Sequence, residues 1–347
     1  MKKALLASIL AVLLGATAIV AAPGSIPIYQ QTVITQPGDY VVTRDIEVSS
    51  GYAIEIQSDD VVLDLNGHKI TSTSVDDAVV YLGASNRVVI RNGRTQGGMF
   101  GIRTVGTTGV TVRLEKLVVS DTVDTGASLL GALHVEVLSC IFSHTGHIGI
   151  YASSPNGQRV SGQIVDNSIL KPGNRGITLY SANGFLIRGN VIAESSSSCM
   201  QIETLVGGSP EVGGNIIEGN SCRWMGSGIF PADGIYLHSN NNRVVGNSIE
   251  GYSSRAILVQ GDGNLIADNV IAGTISIGMG VGDGISVYQG QRNLIEGNQV
   301  EGNAACGIRF DATAGANAYR NNMLRGNTGG AICDTGTGNT SEGGNIY

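Results

Sequence analysis

Residues 233–260, "DGIYLHSNNNRVVGNSIEGYSSRAILVQ", decide the fold. Gly-Ile opens a short apolar alternation, an asparagine run turns it, a second alternation follows, and Gly-Asn turns the chain into a third. Ala-Ile then starts the cycle again, with no helical periodicity between the alternations. The same strand opening recurs as "GITLY" 176–180, "GISVY" 284–288, "GIRFD" 307–311 and "AICD" 331–334, with "MQIET" 200–204 in the same slot. Its isoleucines are Ile177, Ile202, Ile235, Ile257, Ile285, Ile308 and Ile332, separated by 25, 33, 22, 28, 23 and 24 residues. That is a solenoid period with insertions.

Strands this short cannot bury a face alone. Stacked coil on coil, their inward Ile, Val and Leu side chains form one continuous core, each contributing about 1.5–3 kcal/mol of burial. Equivalent strands then pair in parallel, and parallel crossovers are right-handed. The expected fold is all-β, a single-stranded right-handed parallel β-helix of about 10–12 coils. Asn167, Asn190, Asn215, Asn247, Asn269, Asn298 and Asn322 each follow Gly, Asp or Asn at the second turn. Asparagine tolerates the left-handed turn conformation, and stacked amides hydrogen-bond from coil to coil. These asparagines are expected to form one scaffold ladder.

The N-terminal half is less regular. "AIEIQSDDVVLDLNGHKI" (53–70) and "VVYLGASNRVVIRNG" (79–93) read as coils, and residues 23–50 as strands covering the first of them. Residues 51–347 are then one β-helix domain. Residues 1–22 carry two lysines and an apolar run ending in small residues, the pattern of a secretory signal. No later segment is apolar enough to span a membrane. The mature chain is expected to be secreted, periplasmic or at the cell surface, and monomeric.

Composition narrows the partners. The chain of 347 residues has 51 glycines, 7 prolines and a formal charge of −7, and losing Lys2 and Lys3 would take it to about −9. An acidic surface argues against nucleic acid, which needs basic patches. The five cysteines, Cys140, Cys199, Cys222, Cys306 and Cys333, lack the paired spacing of a zinc site. One is necessarily unpaired, and Cys199–Cys222 is one permitted bridge.

The run "DVVLDLNGHKI" (60–70) and the recurring Gly-Asn-x-Ile units resemble secreted right-handed parallel β-helix proteins of the pectin-lyase-like superfamily. The resemblance covers residues 50–347. It implies the fold, and a substrate cleft on one strand face and the loops beside it. It does not choose among lyases, hydrolases, epimerases and non-catalytic members.

Counted between those landmarks, the length variation falls at the corner before the Gly-Ile strand, in residues 218–233 and 273–283. Insertions on one side of a solenoid mark its working face. Alternation points Tyr180, Glu203, Tyr236, His238, Gln260, Tyr288 and Arg309 outward there. His238 as general base, oriented by Glu203 on the adjacent rung, is the leading catalytic pair. Tyr288 or Tyr180 would serve as acid or as a sugar platform, and Tyr236, Gln260 and Arg309 would contact substrate, Arg309 by neutralising a uronate. This set suits proton abstraction beside a carboxylate. Asp233 and Asp283, each ending an inserted loop, could bind substrate as a glycosidase-like pair or hold calcium; no other cofactor or metal is indicated. Trp224 would wall the site or anchor its own loop. His147 in "TGHIG" and His68 in "LNGHK" read as turn residues. The expected function is binding, and processing, of a polysaccharide; the alternative is a non-catalytic cell-surface or matrix protein using the helix as a spacer or adhesin.

Overall fold

The computed structural model describes residues 24–83, 85–154, 158–204, 212–224, 231–277 and 281–347, with the backbone alone at 106–108. Its regular structure is 35 strands, with no helix among the described residues. Each strand pairs in parallel with the strand one coil further on, giving three long sheets and a right-handed parallel β-helix of about twelve turns. In one coil the first sheet takes Ile177–Tyr180, the second Leu186–Arg188 and the third Val191–Ala193. The next coil repeats the order with Met200–Glu203, Ile216–Glu218 and Ser221–Arg223, and the one after with Ile235–His238, Arg243–Val245 and Ser248–Glu250. Residues 26–48 are not a separate cover: Ile26–Ile28, Thr32–Ile34 and Ile46–Val48 pair in register as the first rungs of the same three sheets.

Alternation decides what is inside. Ile177, Leu179, Ile187 and Ile192 all point inward and are fully buried, as are their counterparts along the axis. The glycine that opens a first-sheet strand also faces the core. A Cβ at Gly176 would lie 2.5 Å from Ile192 Cγ2, and one at Gly234 would lie 2.6 Å from Ile249 Cγ2. The third-sheet isoleucine therefore fills the space a side chain would need. In the coil between them both positions change together: Cys199 stands in for the glycine, Cys222 for the isoleucine, and they form a disulfide with Cα atoms 5.8 Å apart. A second disulfide, Cys306–Cys333, ties the last two first-sheet strands, and Cys140 is free and buried.

Asparagines form long ladders at two corners rather than one, and Asn303 and Asn327 stack at the third, 2.8 Å apart. Between second and third sheets the amides of Asn167, Asn190, Asn220, Asn247, Asn269, Asn298, Asn322 and Asn345 bond in sequence at 2.9–3.1 Å. Between first and second sheets, Asn215, Asn242, Asn264, Asn293, Asn317 and Asn339 form a parallel ladder at 2.8–3.0 Å. Asn215 thus belongs to the other ladder, and Asn220 takes the place expected for it. Met200, not Ile202, is the counterpart of Ile177 and Ile235. Both corrections arise in one coil, where "EGN" follows "GGN" by five residues and either fits the local turn chemistry.

The correction moves the insertions. From Ile177 to Asn190 is 13 residues, but from Met200 to Asn220 it is 20 (220 − 200). From Asn190 to Met200 is 10, but from Asn220 to Ile235 it is 15 (235 − 220). The extra length is split between the two edges of the first sheet, one part after Glu203 and one before Asp233. Residues 205–211 and 225–230 within these segments lie outside the described residues, as do 278–280 within 273–283.

Candidate functional site

The outer face of the first sheet carries two columns. The first runs Tyr81, Arg103, Ser128, Tyr151, Thr178, Gln201, Tyr236, Leu258, Ser286 and Arg309 by direct strand register. The second contains Tyr180, Glu203 and His238 as register partners. The small or flat members Ser128, Thr178, Gln201, Leu258 and Ser286 are buried although they face outward. Larger side chains on neighbouring rungs stand over them. The face is thus a shallow trough along the column, its buried members lying between larger ones.

Within it Tyr151 and Tyr180 meet edge to face, with centroids 5.9 Å apart. Tyr236 and His238 lie nearly parallel at 6.3 Å. The Tyr236 phenol donates a hydrogen bond to Gln260 Oε1. Burial, with the negative charges of Glu203 and Asp233, pushes the Tyr236 phenol up to about 12. Burial and Glu203 also raise Tyr180, which Arg175 partly offsets. Both phenols therefore hold their protons at neutral pH and can act as donors. Glu203 and His238 are rung neighbours, but no hydrogen bond joins their side chains. The Glu203 carboxylate accepts instead from Gln201 Nε2. His238 thus lacks the carboxylate orientation expected of it, and its neighbour is the Tyr236 ring.

Two expected substrate contacts are committed elsewhere. Asp283 is fully buried; Oδ1 accepts from the Cys306 N–H at 3.0 Å and Oδ2 from Arg309 Nε at 2.7 Å. Arg309 also donates to Cys306 Sγ at 3.3 Å. The carboxylate is fully buried while the guanidinium is 32% exposed, so Asp283 is not open to calcium or substrate, and Arg309 faces the surface with its charge already paired. Asp233, the other half of the expected pair, accepts from the Arg255 N–H at 3.1 Å, and the Arg255 guanidinium is 3.7 Å away. Burial raises its pKa, against the lowering pull of these partners. Asp233, Arg255 and Asp283 thus alternate in sign along one edge of the sheet, and Arg309 reaches Asp283 from the outer column. Among the described residues no group of three or more His, Cys, Asp or Glu side chains could hold a metal ion.

Trp224 is buried in the core cluster, the anchoring alternative, though its indole N–H has no partner. Phe230 lies outside the described residues. Tyr288 is exposed, two first-sheet strands beyond Ile235–His238. His68 meets Asp45 at 3.1 Å. His147 bridges coils, with Nδ1 3.3 Å from Asp124 and Nε2 2.8 Å from Asn174. Tyr151 and Arg175 belong to the trough region but were not singled out from the sequence. "GIYAS" at 149–153 repeats the Gly-Ile-Tyr of 234–236 and was the available signal for Tyr151.

The chain belongs to the right-handed beta helix region family, whose model matches residues 33–192, 101–271 and 211–346. No curated protein matches it. Among solved structures it is similar to the catalytic unit of a GH87 alpha-1,3-glucanase from Streptomyces thermodiastaticus (TM-score 0.61, 14% identity, covering 95% of this chain and 70% of that one). It is also similar to the A-module of the mannuronan C-5 epimerase AlgE6 of Azotobacter vinelandii (0.56, 15%, 88% and 91%). The Dettilon tailspike protein is a third (0.55, 16%, 89% and 61%). At these identities the likeness shows the shared fold, of the pectin-lyase-like type. Among the described residues no helix is long and apolar enough to cross a membrane.

Proposed function

We propose that this is an exported protein that binds a polysaccharide in the first-sheet trough and processes it at Tyr236 and His238. The observation that carries the reading is the aromatic cluster of Tyr151, Tyr180, Tyr236 and His238 over a floor of small and polar side chains. Aromatic faces flanked by hydrogen-bonding groups suit pyranose rings, which present an apolar face and a hydroxyl rim. The glucanase and epimerase folds among the similar structures support a polymeric sugar as ligand.

Proton transfer at a carbon beside a carboxylate, giving epimerisation or β-elimination, is the reaction this set serves best. His238 can take a proton, and the Tyr236 phenol, held protonated by its surroundings, can return one. A glycosidase-like carboxylate pair is less well served, because Asp233 and Asp283 each carry an arginine. The Gln201–Glu203 contact favours a second reading, a binding surface without turnover, since it leaves His238 without its orienting carboxylate.

A panel of neutral and acidic polysaccharides, followed for binding, unsaturated ends, reducing ends and uronate inversion, separates the two. In the enzyme reading His238→Ala lowers turnover by about 100-fold or more while binding persists. Turnover unchanged in that variant removes His238 as base; binding without any product establishes the second reading.

A further inference from the structure

The first-sheet outer face has a second aromatic group, far from His238. Tyr52 and Tyr81 stack with centroids 4.1 Å apart and planes 6° from parallel. One rung on from Tyr81, Arg103 lies with its guanidinium 4.5 Å from the Phe100 ring centroid. Its Nε is buried without a hydrogen-bond partner. An anion would therefore meet the two terminal guanidinium nitrogens of Arg103 rather than the shielded Nε. The nearby carboxylates have other donors: Asp77 accepts from the Gly51 N–H and Ser74 Oγ, and Glu55 accepts from Gln57 Nε2.

Strand register connects this group to the first site. Tyr81, Arg103, Ser128, Tyr151, Thr178, Gln201 and Tyr236 are successive members of one column. Six steps of about 4.8 Å place Tyr81 about 29 Å from Tyr236, the length of about six sugar units. Ser128 and Thr178 are small and buried, so they do not obstruct the line between.

We propose that Tyr52, Tyr81, Phe100 and Arg103 form a second sugar site that holds an acidic residue of the same polysaccharide, which lies along the solenoid axis. This rests on the trough reading above and adds its direction, its length and the charge of its ligand. The tyrosine pair offers a preformed stacking surface. Arg103, held by Phe100, offers a guanidinium fork to a carboxylate. A chain long enough to reach both sites gains the effective concentration of a linked ligand.

Calorimetric titration with oligouronates of roughly three and roughly twelve residues tests the proposal. The longer ligand is expected to bind once and about 100-fold more tightly than the shorter. The shorter is expected to bind twice, with Tyr81→Ala removing one site and Tyr236→Ala the other. Tyr81→Ala and Arg103→Gln should each weaken the longer ligand about tenfold or more, while Tyr81→Phe, which keeps the stack, does not. Circular dichroism melts show whether each variant is folded. A longer ligand that binds no more tightly, or that ignores both Tyr81→Ala and Arg103→Gln, overturns the second site and leaves the first standing. Equal binding of a neutral glucan oligomer overturns the acidic assignment. No binding of any oligosaccharide overturns both sites.

Discussion

The corner between second and third sheets is built in two ways. Upstream, the column position is taken by Gly93, Leu117 and then Cys140, by the register of their neighbours. Downstream it is taken by asparagine without interruption from Asn167 to Asn345. The strands differ too. Val88–Gly97 and Phe100–Ser120 run on through the corner for 10 and 21 residues, whereas most strands after Asn167 are three to five residues long. Where the corner is filled by apolar side chains, backbone pairing continues round it. Where the backbone turns sharply, its unpaired N–H and C=O groups need side-chain partners, and the amides supply them. Upstream stability therefore rests mainly on apolar filling, and downstream stability on a polar chain in which each member depends on its neighbours.

Asn220 is the strongest place to break that chain. Its amide donates to Ile187 O and Asn247 Oδ1, both at 2.9 Å, and its Oδ1 accepts from the N–H and Nδ2 of Asn190. Asn220→Ala leaves several buried groups unpaired at once, and should destabilise the fold by about 3 kcal/mol, read as a lower denaturation midpoint in urea. Asn345 closes the same ladder where it is only partly buried, accepting from Asn322 and donating to Ser341. Water can replace what it supplies, so Asn345→Ala should cost about 1 kcal/mol or less. Equal losses at the two positions would mean that the ladder is not a cooperative buried network.

Sequence periodicity alone exposed the repeat, the three alternations per coil and the outward set Tyr180, Glu203 and His238. The second ladder was also written there, since Asn215 and Asn220, Asn242 and Asn247, Asn264 and Asn269, Asn293 and Asn298, and Asn317 and Asn322 are all five residues apart. It was missed because an Asn turn has the same local chemistry at either corner, and only pairing between coils tells them apart. The side-chain commitments were less accessible still. That Arg309 pairs with Asp283 on the preceding rung, and Glu203 with Gln201 on its own strand, depends on rotamers. Alternation fixes the side of a sheet from which a residue projects, but not the partner it finds there.

Cys140 stands at the boundary between the two kinds of corner, and already works as half a rung. Its N–H donates to Asn167 Oδ1 at 2.8 Å, as a ladder asparagine's would, while its buried thiol donates to Leu138 O at 3.3 Å. The backbone N–H groups of Leu117 and Lys116 face the sulfur, a weak acceptor, and burial pushes the thiol up to about 12. In Cys140→Asn the new Oδ1 would accept from the Leu117 N–H, and the new Nδ2 would face Leu114 O, the register partner of the Val137 carbonyl that Asn167 uses. The ladder would gain one member without changing the turn. The expected result is a gain of about 0.5–1 kcal/mol in urea denaturation, with Cys140→Ala, which loses the sulfur and gains no amide, less stable than the parent. A loss in Cys140→Asn would show that the boundary is set by the shape of the apolar corner upstream, not by where the asparagines happen to begin.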